Sequence, residues 1–271
     1  SRLFPREIWR HRSARHDVFI ILINDGFLFF LPGAAAALSV FLLHQAASGT
    51  GIDFSQPAET NIWIMLAFGI YAALAWDFFA SYGHYLKHKV PLLWEFHKVH
   101  HCAEVLTPLT AMRRHPVEAV FSAAFVTAGL SAAAIVWIAI FGAPGGSLEI
   151  GGVTLFIYLW RLLGYNIRHS HVWISYGPFW NRVFISPAHH QLHHSRDPKH
   201  YDCNFGHIFT CWDRVFGTLY EPVEAENFEF GIEHEENAKL QTLGALYIRP
   251  MQKAAERFVP ARQSSLTTVE N

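Results

Sequence analysis

The chain has 271 residues, with 21 basic against 22 acidic side chains and a net charge of −1, so it carries no basic field for nucleic acid. Only 16% of its residues are charged and 51% are apolar, against about 25% charged in ordinary soluble domains. That balance argues against disorder and against a freely soluble enzyme, and for membrane spans.

Four apolar stretches follow along the chain. The first, Val18 to Leu43, is interrupted by Asn24, Asp25 and the Pro32-Gly33 pair and is expected to be kinked or split. The second runs from Ile62 to about Ala80 and is clean until Asp77. The third, Val117 to Ile140, is the strongest, with one charge at its start. The fourth, about Leu148 to Leu163, is short and carries Arg161. Each of the first three has roughly the length of ~20 residues needed to cross a bilayer. The first stretch is too long for a secretory leader and lacks a cleavage pattern, so no signal peptide is expected.

Basic residues set the sidedness. Arg2, Arg6, Arg10, Arg12 and Arg15 precede the first stretch; no Lys or Arg falls between Arg15 and Lys87 or between Arg114 and Arg161. The positive-inside rule puts the amino end, residues 81–116 and everything after 165 in the cytoplasm. Residues 1–17 read as a cytoplasmic segment, 18–220 as the membrane domain and 221–271 as a polar, acidic cytoplasmic tail. Cys102, Cys203 and Cys211 are too few and too scattered for a disulfide framework, which suits a reducing compartment.

There are 18 histidines, a density with few structural uses apart from metal binding. Twelve lie in two regions: His84, His88, His97, His100, His101 and His115, then His169, His171, His189, His190, His193 and His194. A hairpin of the third and fourth spans brings both regions to one membrane face. Residues three and four apart share a helix face. His84 and His88 therefore project together, and the His97/His100/His101 and His190/His193/His194 sets each form a fan of three imidazoles. These eight side chains are enough for two metal ions; imidazole suits Zn, Cu, Fe or Ni. A zinc protease is disfavoured because no His-Glu-x-x-His occurs. A histidine-rich metal transporter is the rival reading. It would place ligands along a path inside the spans, which hold only Asp25, Asp77, Arg161 and a few borderline residues.

The stretches His84–His88, His97–His101, Arg114-His115-Pro116 and Ser186-Pro187-Ala188-His189-His190-Gln191-Leu192-His193-His194 resemble the fatty acid hydroxylase and sterol desaturase superfamily of integral-membrane, histidine-rich di-iron oxygenases. Asn204-Phe205-Gly206 and Trp212–Thr218 are similar to the segment that closes that domain. The resemblance covers about Ile62 to Tyr220, and Ile185 to Thr218 looks closest to the alkylglycerol monooxygenase and sterol desaturase branches.

What the resemblance implies is an all-α integral membrane protein: about four transmembrane helices and a cytoplasmic helical cap holding a dimetal site, in a bacterial inner membrane or the endoplasmic reticulum. It implies two iron ions, replaceable by zinc in purified protein, with dioxygen as cosubstrate and a lipid C–H bond hydroxylated or desaturated. It carries over His84, His88, His97, His100, His101, His190, His193 and His194 as ligands, and calls for one or more just after the last span, where the sequence offers His169 and His171 and His169 is expected. His171 and His189 stand as ligands or as supports behind the ligands. Asp77, two turns before His84, is a candidate to bind metal or to orient an imidazole, with a helix-end polar residue as the alternative; Glu95, Glu104, Asp197, Asp202 and Asp213 are further candidate acceptors near the boxes. His115, ahead of Pro116, reads as a turn residue. Electrons are expected from a separate b-type cytochrome, ferredoxin or reductase, because the chain shows no cofactor motif of its own. The acidic run from Glu221 to Glu236 reads as a solvated tail, with a docking site for a basic partner as the alternative.

Overall fold

A computed structural model describes residues 4–51, 62–142, 164–222 and 224–258. Among these the regular elements are helices, with only two isolated β-bridges, Phe184 to Phe209 and Ser195 to Phe230. In chain order the helices are α1 Arg6–Trp9, α2 Arg12–Leu28, α3 Leu31–Thr50, α4 Ile62–Lys89, α5 Pro91–His101, α6 Pro116–Phe141, α7 Gly177–Trp180, α8 Pro187–His193, α9 Cys211–Phe216, α10 His234–Lys239 and α11 Leu243–Glu256.

Three of them, α3, α4 and α6, are long and apolar enough to cross a membrane. Their most apolar windows are 0%, 6% and 17% buried within the protein, so lipid rather than protein must cover most of their surface. The 28 residues of α4 span about 42 Å against a hydrocarbon thickness of about 30 Å. Its last two turns, which carry His84 and His88, can therefore stand clear of the lipid. α4 and α6 meet closely: a Cβ at Gly129 would fall 2.3 Å from the Phe79 ring. Tyr71 donates from α4 to the Ala133 carbonyl of α6 at 3.0 Å, and the hydroxyls of Ser39 and Ser131 tie α3 to α6 at 3.0 Å.

The first apolar stretch is indeed split, and the expected start of the span at Val18 is corrected. The helix axis breaks at Phe29 and Phe30, and the span-forming helix begins at Leu31 with Pro32 in its first turn. The reason lies in α2. Its Ser13, Asp17, Ile20 and Asn24 share one buried face, spaced three and four apart. Asp17 pairs with Arg113 at 3.0 Å and accepts from Thr110 at 2.7 Å, while Asn24 donates to the Arg114 carbonyl at 2.7 Å. A helix with that polar stripe is held by the segment from Thr110 to Arg114, and its opposite face leaves Val18, Phe19, Leu22 and Ile23 exposed. The expected fourth span and Arg161 lie outside the described residues.

The tail is not a solvated one over residues 224–258. Ile232, Leu240 and Leu246 join Ile20, Val99 and Cys102 in one buried cluster, with Trp94, Leu243 and Tyr247 packed against it. Three glutamates of the acidic run are paired: Glu236 with Lys98 at 2.8 Å, Glu229 with Arg196 at 2.9 Å and Glu226 with Lys199 at 2.5 Å. Polar composition alone hid the three apolar anchors that hold this segment down. Cys102, Cys203 and Cys211 are all free thiols.

Candidate metal centre

Four elements converge on one point. α4 supplies His84 and His88 one turn apart. Pro91 opens α5, which presents His97, His100 and His101. The 3₁₀ turn Ile167–His169 supplies His169, and Pro187 opens α8 with His190 and His193, His194 closing it. The imidazoles gather into two groups whose ligand atoms lie within 4.8 Å of one another: His84, His88, His97, His101 and His193, and beside them His100, His169, His190 and His194. These are the nine residues expected from the sequence. The groups touch where the rings of His101 and His194 stack at 4.4 Å.

Five of the outward nitrogens are tied down. Nδ1–H of His84 donates to the Phe205 carbonyl at 3.0 Å, that of His100 to Arg113 O at 3.2 Å, that of His169 to Tyr165 O at 3.2 Å, and that of His193 to Cys203 O at 2.6 Å. His97 donates its Nδ1–H to the Glu118 carboxylate at 2.8 Å, which also accepts from Lys87 at 2.8 Å. A donor role for Nδ1 fixes the tautomer and turns the Nε2 lone pair inward.

Those inward lone pairs face one another. Nε2 of His169 lies 2.8 Å from that of His190 and 3.1 Å from that of His100; the pairs His190–His194 and His88–His101 are each 3.1 Å apart. His97 and His193 have buried Nε2 atoms with no partner among the described residues. Burial holds His97, His100, His101, His169, His190, His193 and His194 well below the ordinary histidine pKa, with neighbouring imidazoles and cations adding to the effect. All seven are therefore neutral, the form that binds metal. Facing lone pairs repel unless a cation sits between them. Two nitrogens each about 2.0–2.1 Å from one metal and roughly 85–100° apart are separated by about 2.8–3.1 Å. The donor set and its spacing fit two metal ions that prefer imidazole.

His171 and His189 join neither group. His189 closes a capping box, with Ser186 N and Oγ at 3.1 and 2.9 Å from its Nδ1, and burial alone takes its pKa down to about 3. Among the described residues the Asp77 carboxylate hydrogen-bonds to no imidazole. Its carboxylate accepts from Ile208 N at 2.7 Å, Phe209 N at 3.2 Å and Trp212 Nε1 at 2.7 Å. It acts at one remove, on the loop whose Cys203 and Phe205 carbonyls hold His193 and His84. Asp213 grips the same loop through Phe205 N at 2.7 Å and Gly206 N at 2.8 Å. Asn204, at φ 56°, donates to the His189 and Tyr220 carbonyls at 3.1 and 3.0 Å. Of the remaining acceptors only Asp202 comes near a group histidine, 3.7 Å from His88 Nδ1; that contact and Lys89 take its pKa down to about 2. Glu95 and Glu104 pair with Arg257 and Arg12, and Asp197 caps a 3₁₀ turn. His115 caps α6, accepting from Val117 N and donating to Tyr247 O at 3.1 Å, a turn role as expected. Glu118 was missed: it is the lone carboxylate at the head of an otherwise apolar helix, one turn past His115-Pro116, and that isolation was the available signal.

The fatty acid hydroxylase family model matches residues 69–218, more than half of the chain and every one of the nine group histidines. The chain belongs to this family. Among the relatives of this fatty acid hydroxylase family member, ornithine lipid hydroxylase of Rhizobium tropici is 29% identical over 86% of this chain and 66% of that protein. Cholesterol 25-hydroxylase of Homo sapiens is 31% identical over 66% of the chain and 60% of its own length, and alkylglycerol monooxygenase of Xenopus tropicalis is 27% identical over 59% of the chain. The chain thus spans about two thirds of the first of these relatives and 32% of the alkylglycerol monooxygenase. The names of these relatives describe oxidoreductases acting on lipids. No solved structure matches the chain.

Proposed function

We propose that the protein is a membrane oxygenase that uses dioxygen and external electrons to hydroxylate or desaturate a C–H bond of a lipid. The observation that carries this reading is the nine-imidazole set, in two adjoining groups with inward Nε2 atoms. In this reading His84, His88, His97, His101 and His193 hold one iron and His100, His169, His190 and His194 the other; zinc takes the same positions in protein purified without iron. When bound, two irons supply dioxygen activation and hydrogen removal from an unactivated C–H bond.

The chain's own contribution is geometric and electrostatic. Backbone carbonyls and Glu118 fix the tautomers of His84, His97, His100, His169 and His193, so these five rings are set before ligation. Burial keeps the imidazoles neutral and limits water around the reacting carbon. Four spans with both termini and the metal site on the cytoplasmic side complete the topology, and the substrate enters from the bilayer beside α4 and α6. A separate b-type cytochrome, ferredoxin or reductase supplies electrons. A transport role is disfavoured because the two groups gather at the end of α4 and in the cap rather than along a path through the spans.

Single-turnover oxidation of a lipid extract with ¹⁸O₂, after anaerobic iron loading, tests this reading. One lipid gaining one labelled oxygen supports hydroxylation; an unsaturated lipid with the label in water supports desaturation. An iron-loaded protein that consumes dioxygen and changes no lipid overturns the proposal.

A further inference from the structure

α2 has two unlike faces. A helix turns about 100° per residue, which sets Arg12, Arg15, Phe19, Leu22, Gly26 and Phe29 along one line, opposite Ser13, Asp17, Ile20 and Asn24. The first six residues are exposed and the other four buried. The exposed line changes character along its length. It begins with two arginines, and α1 ahead of it adds exposed Arg6 and Arg10 against one exposed carboxylate, Glu7. Arg12 donates to Gln241 at 2.7 Å, with Glu104 at 3.9 Å. Arg6, Arg10 and Arg15 have no ion pair among the described residues. Beyond Arg15 the line is apolar, with Phe19, Leu22 and Phe29 exposed by 49, 65 and 76%. Asp25 is exposed as well, but it stands about 90° round the helix from this line.

Where the line leads identifies what covers it. At Phe29 and Phe30 the chain passes into α3, whose most apolar window is 0% buried within the protein and faces lipid. The apolar part of the line runs into that lipid-facing surface. The unpaired arginines stand at its other end, at the level of phosphates rather than acyl chains. A stripe that is apolar towards the span and basic away from it matches the headgroup boundary in both polarity and charge.

We propose that α1 and α2 form a seat on the membrane surface that binds anionic phospholipid. Phe19, Leu22 and Phe29 enter the acyl boundary, and Arg6, Arg10 and Arg15 hold the phosphates of lipids with a net negative charge. The proposal goes beyond the oxygenase reading and does not depend on it. The seat is nevertheless tied to the metal centre. Asp17, on the other face of α2, pairs with Arg113 at 3.0 Å, and the Arg113 carbonyl accepts from His100 Nδ1 at 3.2 Å. Seating α2 therefore sets the height of His100 above the lipid.

Two readouts on the full chain test the proposal, both in nanodiscs of phosphatidylglycerol and phosphatidylcholine in equal parts. The first places a bimane label at Leu22→Cys in a Cys211→Ser background, which leaves only buried native thiols. Lipids carrying a nitroxide near the acyl carbonyl are expected to quench it more strongly than iodide does from the water. Stronger quenching by iodide overturns the proposal. So does protection from both quenchers, which would put a second copy or a protein partner over the line. The second readout counts the lipids retained by the released protein in native mass spectrometry. Phosphatidylglycerol is expected to be retained over phosphatidylcholine, and Arg6→Gln/Arg10→Gln/Arg15→Gln to lower that preference by about fivefold or more, since each arginine near an anionic surface contributes about that much. The corresponding triple lysine variant, which keeps the charge, is expected to hold most of the preference. An unchanged preference in the glutamine variant, or an equal loss in the lysine variant, overturns the proposal. If the glutamine variant fails to fold, the bimane readout decides alone.

Discussion

Glu118 offers the sharpest test of how the ligands are held. One of its oxygens accepts from both His97 Nδ1 and Lys87 Nζ at 2.8 Å, and the residue is 2% exposed. Glu118→Gln keeps the shape and an acceptor oxygen but removes the charge. Charge-assisted bonds contribute about 1.5–3 kcal/mol and neutral ones about 0.5–1.5 kcal/mol, so each of the two bonds weakens by about 1 kcal/mol. The Lys87 share appears as lower stability with or without metal. The His97 share appears in metal affinity, as a loss of about fivefold, just below the 10–100-fold typical of such outer contacts. Competition titration with a chromogenic zinc chelator reads the affinity, and thermal unfolding in detergent reads the stability. Lys87→Gln separates the two: it lowers stability but leaves Glu118 on His97, so affinity changes less than threefold. A Glu118→Gln protein that folds and binds zinc within twofold of the parent would refute the reasoning.

Other expectations follow from the same contacts. Asn204→Ala removes the bonds to the His189 and Tyr220 carbonyls and leaves a residue with a Cβ at φ 56° without the side-chain bonds that hold it there. The expected cost is about 3 kcal/mol, while Asn204→Gly recovers only the backbone part; denaturation of both variants checks this. Gly129→Ala drives a methyl group into the Phe79 ring and is expected to cost about 1–3 kcal/mol, read as faster thermal inactivation, whereas Gly69→Ala meets nothing within 4 Å and is expected to be silent. The pH dependence has a definite sign. Burial lowers the imidazole pKa values, so the site stays neutral as pH falls through the ordinary histidine value of about 6.5. Bound metal is expected to persist well below that pH and then fall away. Half-release at pH 6.5, the behaviour of exposed imidazoles, would contradict it.

The histidine fans were legible because spacing of three and four is itself geometry: His97/His100/His101 and His190/His193/His194 must share a face wherever a helix forms. His169 was legible only through the family likeness, since it sits in a 3₁₀ turn whose existence no periodicity announces. The roles of Asp77 and Glu118 were hidden for opposite reasons. Asp77 is in register with His84, yet the loop 203–212 folds back and takes its carboxylate first. Glu118 lies 21 residues from His97, and only the packing of α6 against α5 brings them together. In α2 hydropathy failed because apolar residues face outward and the polar stripe faces in. In the tail it failed because Ile232, Leu240 and Leu246 are too sparse to register in a run of glutamates.

The central claim is that the two histidine groups are two separate metal sites. Metal analysis after anaerobic iron loading tests it most directly, on the parent chain, on His84→Ala/His193→Ala and on His169→Ala/His190→Ala. The account predicts two irons per chain in the parent, one for each group, and about one in each folded double variant. Two irons retained in both variants, or one or none in the parent, would contradict it.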